Sequence, residues 1–447
     1  MHVQIMGGLG LAMRLNHAAR IKNVSVGGRP VRYLFAGGLL WIDLPDGDAE
    51  LTIRYSLEVE EGPNYTDSGS FLRKAGHLRT SYFWHPFFNF NSTGDLADFD
   101  IDVSIPRQYH VSTSIPQEET VNGSIRTIQG RTVRPTSALV LVYDRDWVVT
   151  RKQFGQTELQ LFLTPQFQPS GEAVEQEFGL VYKLLTERFG VPKGGYLGVV
   201  ESRSKSGNGW QFAANQIVVG TGWPRLLASK AMPPRAYLGH EISHLWTHGA
   251  GPAANFLQEG WATYAESLIL QQEFGPGTVD AFWNAESENY FSNFEGKASL
   301  LEDNNDEGVA YAKGAWLFRM LEESVGTDAF DKAIAEYSRR SLVQPSGWEV
   351  LAECMQHEAP AGFNARAFLQ PWLAGTHAPE VTAEIRDHDV ILRQTGAFIL
   401  PLTVEAETPD GVERQHVLFQ GKEVSMIFAG RPSSVKIDPD HLLLLRR

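Results

Sequence analysis

One cysteine, Cys354, occurs in 447 residues, which excludes an intrachain disulfide framework and leaves the redox compartment open. Its surroundings, Val350 to Gln356, read as a buried helix. No stretch approaches the ~20 apolar residues needed to span a bilayer. The apolar start, Val3 to Met13, has no basic segment ahead of it, so a strand is expected there rather than a signal peptide. A cytoplasmic location is expected, and a natural start further upstream is left open. Positive charge is also scarce. Lys and Arg number 39 against 53 Asp and Glu, the net charge is −14, and no basic run stands out. Nucleic acid and anionic membrane surfaces are therefore not expected partners. Internal repeats and low-complexity tracts are missing too. Aromatic side chains are plentiful, with 11 Trp and 25 Phe. That supply suits large aromatic cores, and a chain of this length divides into several domains.

The period of the apolar residues changes twice. Residues 1–165 alternate in short runs, such as Leu51, Ile53, Tyr55 and Leu57, or Phe99, Ile101, Val103 and Ile105 before Pro106. Period two with Gly, Pro, Asn and Asp punctuation predicts antiparallel strands in a sandwich. The aromatic stretch Tyr82 to Phe88 interrupts them and reads as a packed loop between domains. From Glu172 the spacing is helical: Phe178, Val181, Tyr182, Leu185 and Phe189, stopped by Gly190. A strand-rich patch from Tyr196 to Val219 is expected to open residues 166–380 as a small sheet, on which a peptide could lie as an added strand. Helices then dominate. Gly326 to Asp328 introduces one of them, and Ser346-x-x-Glu349 reads as a capping box. Alternation returns over residues 381–447, which predicts a second, smaller β-sandwich beginning near Thr382.

Chemistry enters at His240-Glu241-x-x-His244. On a helix, side chains at i and i+4 leave the same face. Two neutral imidazoles can then grip one zinc ion while Glu241 takes a proton from a metal-bound water. A catalytic zinc uses three protein ligands and keeps one position for water. Glu259, at the head of a second helix, is the preferred third ligand. His248 is the rival, although a residue one turn further along the same helix reaches past the metal. Glu266 lies on the same helix face as Glu259 and could orient a zinc histidine from behind. A solvent-exposed or interhelix carboxylate is the competing reading for Glu266.

These residues belong to a longer pattern. His240, Glu241 and His244 are followed by Glu259-Gly260, Ala262, Tyr264 and Glu266, and then by Tyr311, Lys313 and Gly314. The chain resembles the aminopeptidase N family of gluzincin zinc metallopeptidases, which carries H-E-x-x-H, N-E-G-x-A-x-Y-x-E and Y-x-K-G in this order. The resemblance implies a multidomain α+β chain: an N-terminal β-sandwich, a thermolysin-like and mainly helical zinc domain, and a small C-terminal β-sandwich. It also implies that Tyr311 donates a hydrogen bond to the tetrahedral oxyanion. A phenol held beside a Lewis-acid metal would stabilise charge that appears only in the transition state.

Two departures qualify the resemblance. Only Leu245 to Gln258 separates His244 from Glu259, a shorter connection than the family's. The family's G-x-M-E-N strand is missing as well. In its place runs Gly209 to Gly220, where amides such as Asn215 and Gln216 stand instead of the carboxylate that captures a free α-amine. A neutral amide cannot compensate an ammonium group removed from water. The expected activity is therefore hydrolysis of peptide bonds in a peptide or protein substrate with one zinc ion. Glu241 acts as general base and Tyr311 as oxyanion stabiliser, Asn215 and Gln216 line the substrate site, and strict aminopeptidase activity is not expected. The alternative is a non-catalytic, zinc-containing peptide-binding or scaffold protein of the same fold.

Overall fold

A computed structural model of the chain describes residues 2–5, 10–44, 47–58, 70–79, 82–87, 97–136, 139–192, 195–203, 209–212, 215–220, 236–302 and 307–446. The chain forms two compact units, Met1–Glu175 with Gly194–Ala228, and Gln176–Lys193 with Ser229–Arg447.

The first unit is built of strands. Ala19–Val26 and Gly47–Leu57 pair antiparallel at the centre of one sheet, and Leu39–Ile42 pairs with Leu11–Arg14 and Tyr33–Ala36 in another. Met13, Leu40 and Ile42 from the second sheet pack with Val24 and Leu51 from the first in one buried cluster. This is what period-two sequences produce when each strand has one apolar face. A further sandwich core joins Val111, Leu141 and Tyr143 to Ile128, with Tyr82 and Trp84 packed against it. The described part of the aromatic stretch thus packs within this unit.

The third assembly differs from expectation. Thr157–Leu163 pairs in parallel with Tyr196–Glu201, which pairs in parallel with Gln216–Val219. Val148–Phe154 and Gly209–Phe212 flank these three as antiparallel edge strands. The 196–219 patch therefore does not open a separate sheet but continues the strands that end at Leu163. Leu159, Leu161, Val199, Val200, Ile217 and Val218 are all at most 1% exposed. Parallel strands of this kind read as continuous apolar runs, so periodicity carries no sign of which strand each one joins.

Among the described residues there are eight α-helices: α1 Gly171–Phe189, α2 Tyr237–Ser243, α3 Trp261–Phe274, α4 Pro276–Asn289, α5 Glu307–Val325, α6 Thr327–Ser341, α7 Trp348–Glu358 and α8 Ala365–Ala374. Among the described residues no helix is long and apolar enough to cross a membrane. In the second unit, aromatic rings fill the space between helices. Phe256 stacks on Phe318 at 4.9 Å, and Trp261 meets both Phe189 and Phe318 edge-on. A half-buried charge network ties four helices together. Arg188 of α1 clasps Asp331 of α6 and Glu322 of α5, while the Tyr264 hydroxyl of α3 donates to Glu322. Helix α7 begins after Gly347, whose position as N-cap lacks a side-chain hydrogen bond. The Ser346 hydroxyl donates instead to the Gln344 carbonyl, so the expected capping box does not form. Two three-stranded antiparallel sheets follow, starting at Val381.

Candidate zinc centre

Helix α2 is short, buried and sharply ended. His240, Ile242 and Ser243 are buried, and His244 occupies the C-cap position. The Ser243 hydroxyl donates back to the His240 carbonyl at 2.7 Å, and the Trp261 indole N–H donates to the Ser243 carbonyl at 3.0 Å. Both bonds occupy carbonyls that a longer helix would use itself. Because the helix stops there, His248 does not continue the His240–His244 face. Its carbonyl accepts the Ser346 N–H instead.

Glu259 lies in a single π-helical turn, Phe256–Gly260, that leads into α3. Wide turns of this kind redirect one side chain without ending the helix, and they concentrate at functional sites. Glu259 Oε2 sits 3.3 Å from His240 Nε2 and 3.7 Å from His244 Nε2. Donors on a tetrahedral zinc ion at ~2.1 Å stand roughly 3.4 Å apart. Among the described residues, His240, His244 and Glu259 form the cluster of metal-binding side chains, with donors all within 4.8 Å of one another. Two nitrogens and a carboxylate, two of the three residues buried, suit zinc in chemistry as well as in spacing.

Glu266 approaches the other side of the same ring. Its Oε2 lies 3.8 Å from His240 Nδ1, while its Oε1 accepts the Ala236 N–H at 2.9 Å. His240 is thus held between two carboxylates from one helical segment, the arrangement that sets a metal-binding histidine's tautomer. Burial alone would depress the His240 pKa. Hydrogen bonds to Glu259 and Glu266 and the charge of Glu241 outweigh it and raise the value to about 10. Burial lowers His244 to about 4, against the pull of Glu259. For Glu259, burial is overcome by His244, His240 and a hydrogen bond from Tyr311, and its pKa falls to about 2. Two carboxylates against one imidazole, with the charge of Glu241 nearby, leave an excess of negative charge. A proton on His240 or a divalent cation between the donors would satisfy it.

Tyr311 comes from the first turns of α5. Its ring lies parallel to the His240 ring, with centroids 5.6 Å apart and planes 8° apart. Its hydroxyl donates to the Glu259 carboxylate. The glycines of the two motifs explain how these helices come so close. A Cβ on Gly260 would lie 2.9 Å from Gly314 Cα, and one on Gly314 would lie 3.0 Å from Gly260 Cα. The π turn and α5 therefore cross backbone to backbone. That crossing brings Glu259 and Tyr311, each a residue or a turn away, to the same imidazole. Lys313, fully buried, donates from Nζ to the Gly375 carbonyl just beyond α8. Burial lowers its pKa to about 7.

The amides expected to face substrate are engaged elsewhere. Asn215 Nδ2 donates to the Tyr196 carbonyl at 2.7 Å, and Gln216 Nε2 to the Ser112 hydroxyl at 2.9 Å. They are 4% and 0% exposed. Both are interior side chains of the first unit, and neither enters the function proposed below. The alternating burial of a sheet strand, unavailable for a run apolar on both sides, would have been needed to foresee this. Nothing in the sequence marks Glu177 of α1, whose pKa burial raises to about 7.

No protein-family profile matches the chain. Aminopeptidase M1-D of Oryza sativa subsp. japonica is 23% identical over 207 residues, 40% of this chain and 23% of that protein. Aminopeptidase N of Lactococcus lactis subsp. cremoris is 33% identical over 98 residues, 21% of this chain and 11% of that protein. The matched stretches thus make up about a quarter or less of these relatives. Among solved structures, Legionella pneumophila aminopeptidase A in complex with aspartic acid superposes with a TM-score of 0.74 at 13% identity, covering 99% of this chain and 56% of that one. A point mutant of an M1 zinc metallopeptidase from Deinococcus radiodurans superposes with a TM-score of 0.64 at 19% identity, covering 84% and 89%. By local sequence and by fold, the chain is a divergent relative of the aminopeptidase N, or M1, family of zinc metallopeptidases.

Proposed function

We propose that the chain hydrolyses peptide bonds with one zinc ion held by His240, His244 and Glu259. The observation that carries this reading is the meeting of these three donors with a second carboxylate, Glu266, behind His240. A structural zinc is usually closed by a fourth protein ligand, whereas a catalytic one keeps a position for water. Zinc bound there supplies Lewis acidity toward the scissile carbonyl and makes water a nucleophile near neutral pH.

The chain's own groups do the rest. Glu241 follows His240 directly and is only partly buried. As general base it accepts the proton of the attacking water and returns it to the leaving amine. Tyr311 holds a donor O–H at the edge of the same site and turns it to the developing oxyanion. Glu266 keeps the His240 Nδ1 proton and so directs Nε2 toward the ligand cluster.

The reading predicts about one zinc per chain by metal analysis and turnover of peptides that Glu241→Gln abolishes while leaving the zinc in place. A scaffold protein with structural zinc would show no turnover to lose. Failure of the wild-type chain to take up zinc would reject both readings.

A further inference from the structure

Tyr311 stands midway between two bare positions of α5. Gly308 precedes it by three residues and Gly314 follows it by three, so both are its neighbours on one helix face. Among the described residues two π turns pack on this helix, and each meets it at one of these glycines. The turn that carries Glu259 crosses at Gly314. The other, Tyr290–Phe294, follows α4 and meets Gly308 with its last side chain. A Cβ on Gly308 would collide with Phe294 Cζ and Cε1. The tip of the ring thus occupies the space that a side chain there would fill.

The two meeting points are six residues apart on α5, roughly 9 Å along its axis. Tyr311 lies between them, with its ring against His240. Phe294 therefore flanks Tyr311 on the side away from the Glu259 turn. An extended peptide advances ~3.3 Å per residue. With its scissile carbonyl at the zinc centre, a substrate would bring side chains one or two residues away within reach of that ring. The two ends of the Phe294 turn are also buried unequally. Tyr290 is 0% exposed, and its hydroxyl donates to the Thr376 carbonyl at 3.1 Å. Phe294 is only half-buried. Tyr290 anchors the turn, and Phe294 keeps apolar surface free beside the reacting centre.

We propose that Phe294 is a specificity-determining residue, whose ring receives a large apolar side chain of the substrate next to the scissile bond. Gly308 makes the room that lets the ring stand beside Tyr311. The inference rests on the peptide-hydrolase reading above.

The test is calorimetric binding of acetylated hexapeptides with Phe or Ala at the third or fourth residue. The zinc-loaded chain carries Glu241→Gln, so that it holds peptide without consuming it. At one of the two positions the Phe peptide should bind at least about tenfold more tightly than the Ala peptide, the scale of burying a large apolar side chain. Adding Phe294→Ala should bring that ratio below about threefold. Adding Gly308→Ala, whose methyl displaces the ring, should lower the ratio as well. Both substitutions together should lose no more than Phe294→Ala alone, because the methyl then enters vacated space. If Phe294→Ala does not fold, Phe294→Leu should lower the ratio in the same direction. An unchanged ratio in the Phe294 variants would overturn the proposal, and so would an equal loss for Phe and Ala peptides, which marks a ring that only packs α5. The same peptides assayed for cleavage by the wild-type chain separate the two readings. A Phe294-dependent ratio without any turnover would reject peptide hydrolysis and keep Phe294 as a peptide-binding residue. Turnover whose preference ignores Phe294 would keep hydrolysis and reject this inference.

Discussion

The Tyr311 ring lies flat against the His240 imidazole, 5.6 Å away and 8° from parallel, while its hydroxyl bonds to Glu259. One side chain thus touches two of the three proposed ligands by two different atoms groups, a ring face and an O–H. Tyr311→Phe separates these contributions. The phenyl ring retains the stack, so zinc content should be unchanged. Loss of the donor should lower kcat ~100–1000-fold, as for a removed oxyanion donor, with little change in KM. Steady-state kinetics on a peptide substrate, beside metal analysis, checks it. Full activity in the variant would remove Tyr311 from the mechanism.

The Gly260–Gly314 crossing makes a second prediction. A methyl on Gly260 meets the Gly314 backbone at 2.9 Å, which neither helix can relieve by a rotamer change. Gly260→Ala should lower stability by about 1–3 kcal/mol and weaken zinc binding, because Glu259 rides on the displaced turn. Gly314→Ala, with its closest contact at 3.0 Å, should act in the same direction but less strongly. Denaturant unfolding and chelator competition measure the two effects separately. Wild-type zinc affinity in both variants would show that the crossing only packs the helices.

Glu177 gives a dependence on pH whose sign can be worked out. Burial first, then the neighbouring charge of Glu273, raises its pKa from 4.5 to about 7, and Glu266 adds a smaller push upward. The folded state therefore holds this proton more tightly than the unfolded chain does. The resulting stability is full below pH 4.5 and is gone once the pH has passed about 7. Glu177→Gln lacks the ionisation, so its melting temperature should gain on wild type between pH 5 and pH 8, with the gain levelling off above pH 8. Parallel melting curves across that range would expose a constant offset, which would mean that Glu177 does not titrate there.

Much of this centre could be read from the chain because its parts obey local rules. His240 and His244 share a helix face through their spacing, and Glu259, Glu266 and Tyr311 sit in short motifs. The three side chains singled out as ligands are the three whose donors converge. What could not be read depends on contacts between distant segments. Glu177 looks like any carboxylate on an amphipathic helix until α1 is laid against α2. The Gly260–Gly314 contact needs two helices to be crossed before either glycine has a reason. Among the strands, alternation announced the sandwiches, but Tyr196–Glu201 and Gln216–Val219 are buried along their whole lengths. Without alternation, nothing in them specified the parallel pairing to Thr157–Leu163 or the inward turn of Asn215 and Gln216.

The last prediction concerns which peptides the proposed site accepts. An exopeptidase must hold the charged N-terminus of its substrate one residue from the scissile carbonyl, and an ammonium removed from water needs a carboxylate partner. Residues 209–220, in place of the family's G-x-M-E-N strand, contain no Asp or Glu. Glu201 is the nearest acid upstream, at the end of its strand. Its carboxylate already accepts the Thr164 N–H at 2.6 Å and the Thr164 hydroxyl at 3.0 Å, and the residue is 5% exposed. Freeing it would break both bonds from the partly buried Thr164, at about 1 kcal/mol each. Peptides with an acetylated N-terminus should therefore be cleaved at least as well as free-amine peptides of the same sequence, and amino-acid arylamides should be poor substrates. Paired kcat/KM measurements on the two peptide series decide the matter. Rapid arylamide turnover would show that another group captures the amine, and its loss in Glu201→Gln would identify Glu201 as that group despite its bonds to Thr164.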